Sequence, residues 1–468
     1  MKRIHPFLLF IIISIPLFLW AKLQILPTFD DWCTLSSPNT DTDYLQYFTR
    51  YGNVWRPFDA LMGYIVGLNY RLFPTLNHIV IFIGHIACTY LVYSLTSTVN
   101  FNRLSKAIAT TFFYISPCVL GTVLACDSLN QVYSQFWGLL AIWFYLHFQN
   151  KWKYILWIIC VFMAALSKEN GITWAVIPPI FAFSFNIIDK QKIYKHLLIG
   201  ISIAIFYFII RMLIPKVDIF NPDYETFNVL KNIKGLVIWI GYTWFSADYI
   251  SIVHEPSRNL PLFFGTLFLS LPFIYILFIR KSKSLYSKKT FIGVIICAII
   301  SISPNLLISL TIMNAYASLG MFAILVGFII NYHQETKTIS IVFSLYLLSA
   351  IIVGIHHWKS AYESSLIGKE MAQSAIEQTK TPVNKVYCII IEDDDPKFSS
   401  FCEIPSNAFG WGIAAKYETG YQWPKEINDT TIERTTSKHI IYKIAHNALS
   451  NNYDCVWIVD KKNIKVIK

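Results

Sequence analysis

The stretch RKSKSLYSKKTFIGVIICAIISISPNLLISL (residues 280–310) decides how the chain is read. Its first ten residues carry five Lys/Arg and no acid, and the rest carries no charge at all. A helix of ~20 predominantly apolar residues crosses ~30 Å of hydrocarbon. Lys and Arg beside such a helix hold their end in the cytoplasm. The segment therefore predicts a spanning helix over 290–310 with 280–289 inside. The same kind of block recurs near 7–22, 76–98, 105–124, 131–148, 154–167, 172–188, 197–214, 260–279, 317–332 and 339–357, for about eleven spans. The aromatic stretch GLVIWIGYTWFSADYI (235–250) is short for a span and is expected as an interfacial or re-entrant helix.

Composition agrees with that reading. Of 468 residues, 55% are hydrophobic and only 14% charged, against roughly 25% charge in a soluble domain. This excludes a disordered chain, a secreted disulfide scaffold and an ordinary soluble enzyme. An outer-membrane barrel is excluded because its strands would alternate over ~10 residues. The net charge of +11 would suggest a nucleic-acid partner in a soluble protein. Partitioned by side it suggests none. With the N-terminus inside and each block crossing once, the inner segments (1–6, 99–104, 149–153, 189–196, 280–289, 333–338, with Lys106) hold about 15 Lys/Arg and two acids, Asp189 and Glu335. The much longer outer segments up to 359 hold about 10 Lys/Arg and about 12 acids. The positive charges are thus topology determinants. The first block follows Lys2 and Arg3, with no small-residue cleavage site after it, and is expected to stay as an uncleaved anchor.

An odd number of crossings leaves the tail outside. The expected fold class is an all-α polytopic membrane domain, 1–359, followed by a small extracytoplasmic α/β or α+β domain, 360–468. The tail is near neutral. KVYCIIIED (385–393) predicts a buried strand, YDCVWIVDKKNIKVIK (453–468) two strands around a turn, and TSKHIIYKIAHNALSNN (436–452) a helix. Cys88, Cys160 and Cys297 sit in apolar blocks as small hydrophobes. Cys388, Cys402 and Cys455 fall in the outer tail, where an oxidising compartment would let one pair bridge.

Candidate functional residues concentrate on the outer side. Asp30 and Asp31, in PTFDDWCTL, follow the first span at the start of a long polar loop, about 23–75. Two adjacent carboxylates there suit holding a metal, accepting a proton from an attacking hydroxyl, or binding sugar hydroxyls; a solvated loop start or helix cap is the plainer alternative. As a metal site (Mg or Mn) the pair alone is incomplete. Further along the loop, Arg56 in VWRPFD offers a guanidinium suited to bidentate phosphate contact. Asp127 and Gln131 lie in CDSLNQVY between two spans, and Lys168 and Glu169 in ALSKENGITW between two others. An ionisable pair inside an apolar run is expensive, and is either functional or mutually paired. His254, Glu255 and Arg258 (VHEPSRN) precede the next outer-to-inner span. No inner segment has a comparable acidic cluster, so chemistry is expected at the outer leaflet.

These residues together resemble the GT-C superfamily of polytopic glycosyltransferases, which includes protein O-mannosyltransferases and the bacterial enzymes that add aminoarabinose to lipid A. The likeness rests on Asp30–Asp31–Trp32 in the first outer loop, Trp55–Arg56–Pro57 before the second span, YISPCVLGTVLACDSLNQVYSQFWGLLA (114–141) and ALSKENGIT (165–173). It covers about 20–200, and 200–357 only in hydropathy. The tail shows no such likeness. The resemblance implies a sugar donor on a polyprenyl phosphate, used at the outer face of the membrane in contact with membrane lipids. The Lys/Ile/Asn-rich composition favours a bacterial inner membrane, with the endoplasmic reticulum the alternative. The acceptor would be a lipid, glycan or protein. It implies that Asp30 or Asp31 is the catalytic base or acceptor positioner, and that Arg56, Lys168 and Glu169 surround the donor phosphate. One departure is visible: the tetratricopeptide-bearing O-mannosyltransferase branch, whose Lys–Glu motif ALSKENGIT resembles, has an Arg-Tyr element near its last spans, where this chain has MNAYASLGM (313–321), with Asn314 and Tyr316 but no arginine. Tyr316 is kept as a candidate donor contact. The rival readings are a lipid-linked glycan flippase or transporter, and a glycan polymerase or ligase. Arg211 lies near a span end, and no proton-relay chain or inverted repeat accompanies it.

Overall fold

The computed structural model describes residues 48–52, 54–69, 76–123, 128–217, 288–308, 312–332, 336–391, 409–420 and 422–468, with isolated positions at 27, 31–32, 235–236, 239–240 and 243. The chain is mainly helical. A two-residue strand β1 (Arg50–Tyr51) leads into α1 (Pro57–Asn69), α2 (Leu76–Thr98), α3 (Arg103–Ile115), α4 (Pro117–Val123), α5 (Leu129–His147) and α6 (Asn150–Ser167). A 3-10 helix (Glu169–Ala175) separates α6 from α7 (Ile177–Ser184), and α8 (Lys190–Leu213) ends at β2 (Lys216–Val217). Then come α9 (Lys288–Ile302), a second 3-10 helix (Ser303–Leu307), α10 (Ile312–Tyr332) and α11 (Thr336–Thr379).

Four helices among the described residues are long and apolar enough to cross a membrane: Ile79–Thr98, Lys190–Leu213, Lys289–Leu307 and Met313–Asn331. The expected eleven are not reached there. The blocks at 7–22 and 260–279 lie outside the described residues. Others are broken by proline. The block at 105–124 becomes α3 and α4, divided at extended Ser116 just before Pro117, because a residue before proline is pushed out of the helical region. The block at 172–188 becomes a 3-10 turn and a short α7 with prolines 178 and 179 in its first turn, where a missing N–H costs nothing. In 235–243 the described residues are helical, and Trp239 is buried with its indole N–H on Ser318 Oγ at 2.7 Å. That stretch therefore joins the helical core.

Helix α10 is the centre of the bundle. Its spanning window is 89% buried, against 22% for α8, and it packs on α2, α3, α5 and α9. The outward side of α8 presents Leu198, Ile201, Ile205, Phe206 and Ile209, as a lipid-facing helix would. Hydrogen bonds between helix termini show which ends coincide. Asn102 N–H donates to Asn331 Oδ1 at 2.7 Å, Lys289 Nζ to Asn186 Oδ1 at 2.8 Å, and the Tyr154 hydroxyl meets His196 Nε2 at 2.8 Å. One end of the bundle thus gathers Arg103, Lys106, Lys151, Lys153, Lys190, Lys192, Lys195 and Lys289, with Asp189 capping α8 and paired to Lys192 at 3.0 Å. The charge asymmetry along the sequence is also a separation in space.

Helix α11 runs unbroken for 44 residues, so the boundary expected at 359/360 falls inside a helix. Its far end packs on a C-terminal domain: β3 (Lys385–Ile391), α12 (Ile413–Glu418), β4 (Glu426–Ile432), α13 (Lys438–Ser450), β5 (Cys455–Asp460) and β6 (Asn463–Ile467). The sheet order is β4-β3-β5-β6, with the first three parallel and β6 antiparallel to β5. Ser437 caps α13, its Oγ accepting from the Ile440 N–H. One face of the sheet packs on α11 and α12 through Met371, Ala375, Phe409 and Trp457; the other packs on α13 through Ile441 and Ala445. Cys388 and Cys455 are buried free thiols, so the one bridge expected among Cys388, Cys402 and Cys455 is not made between these two. Cys455 lies opposite Val386 rather than Cys388, so the two thiols are offset along neighbouring strands. Cys402 lies outside the described residues.

Candidate active site

The site is built where α6 stops. Lys168 leaves the helix with extended backbone, its N–H still bonded to the Ala164 carbonyl, and the chain tightens into the 3-10 helix that begins at Glu169. That tight turn needs Gly171: a Cβ there would sit 2.2 Å from the Ala164 carbonyl carbon and oxygen. Gly200 on α8 has the same role from the other side, since its Cβ would fall 2.1 Å from the Ala175 carbonyl oxygen. The 3-10 helix carrying Glu169 is therefore wedged between two backbones. Gly171→Ala should lower stability by about 2–3 kcal/mol, the overpacking range, seen as a lower thermal midpoint in detergent. An unchanged midpoint would mean the segment is free to shift.

Glu169 is the hub. Its Oε2 lies 2.9 Å from Arg56 Nε, and its Oε1 accepts the Trp55 N–H at 3.0 Å. Both side chains are about one-fifth exposed (19% for Arg56, 18% for Glu169). Trp55 stacks on Tyr207 of α8 at 6.2 Å between ring centroids, which fixes the approach of the loop. Burial pushes the Glu169 carboxyl up, but Arg56, its backbone hydrogen bond, Arg211 and Lys168 together outweigh that and hold it below the usual carboxylate range.

Lys168 points the other way. Its Nζ donates to Asn314 Oδ1 at 3.0 Å, and Gln131 Nε2 donates to the same oxygen at 3.1 Å. Asn305 Nδ2 holds the Asn314 carbonyl at 2.9 Å. Neutral Asn314 is thus an acceptor shared by a cation and two amides. A cavity of about 390 Å³ opens over this network. Its charged lining among the described residues is Arg50, Arg56, Lys168 and Arg211 against Glu169, an excess of three positive charges. Arg50 is brought there by the parallel pairing of β1 with β2, its N–H on the Pro215 carbonyl at 2.8 Å. The rest of the wall is mostly apolar, including Phe208, Met212, Leu307 and Ile308. The cavity lies at the end of the bundle opposite the lysine-rich end.

No family model and no curated protein matches the chain. It is similar to the Archaeoglobus fulgidus oligosaccharyltransferase in complex with Zn and sulfate, at 14% identity over 78% of this chain and 56% of that one, with a TM-score of 0.38. It is also similar to that oligosaccharyltransferase tethered by a disulfide bond to an acceptor peptide containing the NVT sequon, at 12% identity over 78% and 58%, with a TM-score of 0.33. The chain thus spans a little over half the length of those chains. At this level of likeness its function has to be argued from its own residues.

Three of the expected site residues, Arg56, Lys168 and Glu169, meet at the cavity, and Gln131 stands behind it through Asn314. Tyr316 is elsewhere: it is fully buried in α10, with its hydroxyl 2.9 Å from His85 Nδ1. Asp31 is 3% exposed and does not line the cavity; its neighbour Trp32 packs in the C-terminal domain. Asp30, Asp127, His254, Glu255 and Arg258 lie outside the described residues. No group of three or more His, Cys, Asp or Glu is arranged to hold a metal among the described residues. Sequence reasoning gave no site role to Arg50, Arg211, Asn305 or Asn314. Arg211 and Asn314 stood out as polar residues in apolar runs; nothing local marked Arg50 or Asn305.

Proposed function

We propose that the protein is a membrane glycosyltransferase, taking a sugar from a polyprenyl-phosphate donor and placing it on a lipid, glycan or protein acceptor. The lysine-rich end faces the cytoplasm and the cavity opens on the outer side, in keeping with the positive-inside rule. The observation that carries this reading is the cavity itself. A strongly cationic floor with one carboxylate, beside an apolar wall continuous with a lipid-facing helix, fits a phosphate attached to a hydrocarbon chain. The phosphate would sit among Arg50, Arg56, Lys168 and Arg211, with the chain leaving along Phe208 and Met212.

In this reading Asp30 or Asp31 takes the proton of the acceptor hydroxyl. The acceptor oxygen attacks the anomeric carbon from the face opposite the phosphate. The bond from that carbon to the phosphate oxygen breaks, and polyprenyl phosphate leaves with the electron pair. The cations stabilise the charge that grows on the leaving oxygen, in a site partly shielded from water. Glu169 keeps Arg56 oriented and takes no proton in the reaction. Gln131 holds Asn314 and so Lys168. Asp127, His254, Glu255 and Arg258 remain assigned to donor or acceptor binding on the same side.

The test is direct. Purified, folded protein given a sugar-loaded polyprenyl phosphate and an acceptor extract should release polyprenyl phosphate and transfer the sugar. Donor that binds and crosses vesicle membranes with its sugar intact would replace this reading with a flippase.

A further inference from the structure

Trp32 follows the acidic pair directly in sequence, yet it belongs to the core of the other domain. It is 4% exposed and lies in the same buried apolar cluster as Met371, Ala375, Phe409 and Trp457. Its ring meets that of Tyr417 on α12, with centroids 5.2 Å apart and planes at 47°. Tyr417 in turn packs against both this cluster and the main helical core. Asp31 is buried beside Trp32. Asp31 therefore sits at a joint where the start of the first loop, the helical core and the C-terminal domain meet.

We infer that the outer domain is a clamp for the acidic loop, with Trp32 as the positioning residue and Tyr417 as its seat. This rests on reading Asp30–Asp31 as the acceptor-activating pair. A general base must stand within hydrogen-bond reach of the proton it removes, and a misplacement of about 1 Å can cost on the order of a hundredfold in rate. A carboxylate on a long polar loop does not hold such a position by itself. A large aromatic side chain next to it, buried in a preformed core, fixes the loop backbone. The fixing groups come from the C-terminal domain, so that domain is part of the machinery for turnover and not only a neighbour of it.

The experiment compares Trp32→Ala, Trp32→Phe, Tyr417→Ala and the Trp32→Ala/Tyr417→Ala pair in full-length protein. Turnover of a sugar-loaded polyprenyl phosphate and hydrogen exchange at 28–34 are both measured. Trp32→Ala and Tyr417→Ala should each lower kcat about tenfold or more while leaving donor KM within about twofold, because the cations that hold the phosphate are untouched. Trp32→Phe should retain most of the rate. The paired variant should be no worse than its worse member, since both remove one contact. Exchange at 28–34 should rise in Tyr417→Ala. Wild-type kcat in both alanine variants, or multiplying effects in the pair, would overturn the clamp; so would faster exchange at 28–34 with unchanged turnover. If Trp32→Ala does not fold, Tyr417→Ala and Trp32→Phe still decide the matter. Unchanged exchange in Tyr417→Ala removes the clamp even if transfer is confirmed. Full activity in the Asp30 and Asp31 variants removes the base assignment even if exchange responds.

Discussion

Asp30→Asn or Asp31→Asn should lower sugar transfer by on the order of a hundredfold or more, the usual contribution of a positioned general base, with the protein still inserted and folded. Asparagine keeps the size and hydrogen-bonding reach of aspartate but cannot accept the acceptor proton. The phosphate of the donor is already a good leaving group, so the proton on the attacking hydroxyl is the main barrier left to a side chain. Loss should therefore appear in kcat, with donor KM little changed, because the donor's charged end is assigned to the separate Arg56 and Lys168 cavity. The two substitutions also separate the roles. Asp31 is buried beside Trp32, so its variant should also alter loop exchange. If both single variants transfer sugar at the wild-type rate, the assignment of the base to this pair is wrong.

The second large effect is expected at Glu169. Glu169→Gln preserves an oxygen for the Trp55 N–H but removes the counter-charge of Arg56 and raises the positive excess of the cavity. Breaking a buried pair by removing one partner costs about 3–5 kcal/mol. These two groups are about one-fifth exposed, so about 2–3 kcal/mol is the reasonable scale after solvent screening. The measurement is the thermal midpoint in detergent, with and without polyprenyl phosphate. The anion should restore part of the loss, by binding the folded form and by replacing the missing negative charge.

The pH dependence has a definite sign. The folded pKa of Glu169 lies below its usual value of 4.5, so its charge stabilises the fold above about that pH. That contribution is lost as pH falls from 4.5 through the depressed folded value. The gap between wild type and Glu169→Gln should therefore be full at neutral pH and close in acid. A gap that stays constant down to pH 3 would show that the carboxylate charge is not what stabilises the joint.

Much of the bundle was legible because hydrocarbon solvation acts on every residue of a spanning block, and the lysines at its ends follow one rule. The breaks at Pro117 and at prolines 178 and 179 were not anticipated, since an average over an apolar window is blind to a single missing N–H. The continuity of α11 was hidden for the opposite reason. Past 357 its residues turn polar while their helical preference persists, so hydropathy ends where the helix does not. Strands β3, β5 and β6 were foreseen from apolar runs, whereas β4, EINDTTI, is a polar edge strand that needs its neighbour to be strand at all. At the cavity, Arg56, Lys168 and Glu169 were legible as charges too costly to be idle. Arg50 and Asn305 reach it only through the β1–β2 pairing and the 3-10 turn after α9, which no local pattern announces.

The contact of Trp32 with Tyr417 also has a place in time. Trp32 and Tyr417 stand 385 positions apart in the chain, so the ribosome makes the first long before the second. At ~5–20 residues per second, the interval is on the order of tens of seconds. Throughout it Trp32 has been made and its seat has not. A chain cut short before α12 would hold the cationic cavity complete and the acidic loop unclamped. By the clamp proposed above, such a fragment would turn donor over slowly, so synthesis of α12 is the step that arms the nascent protein.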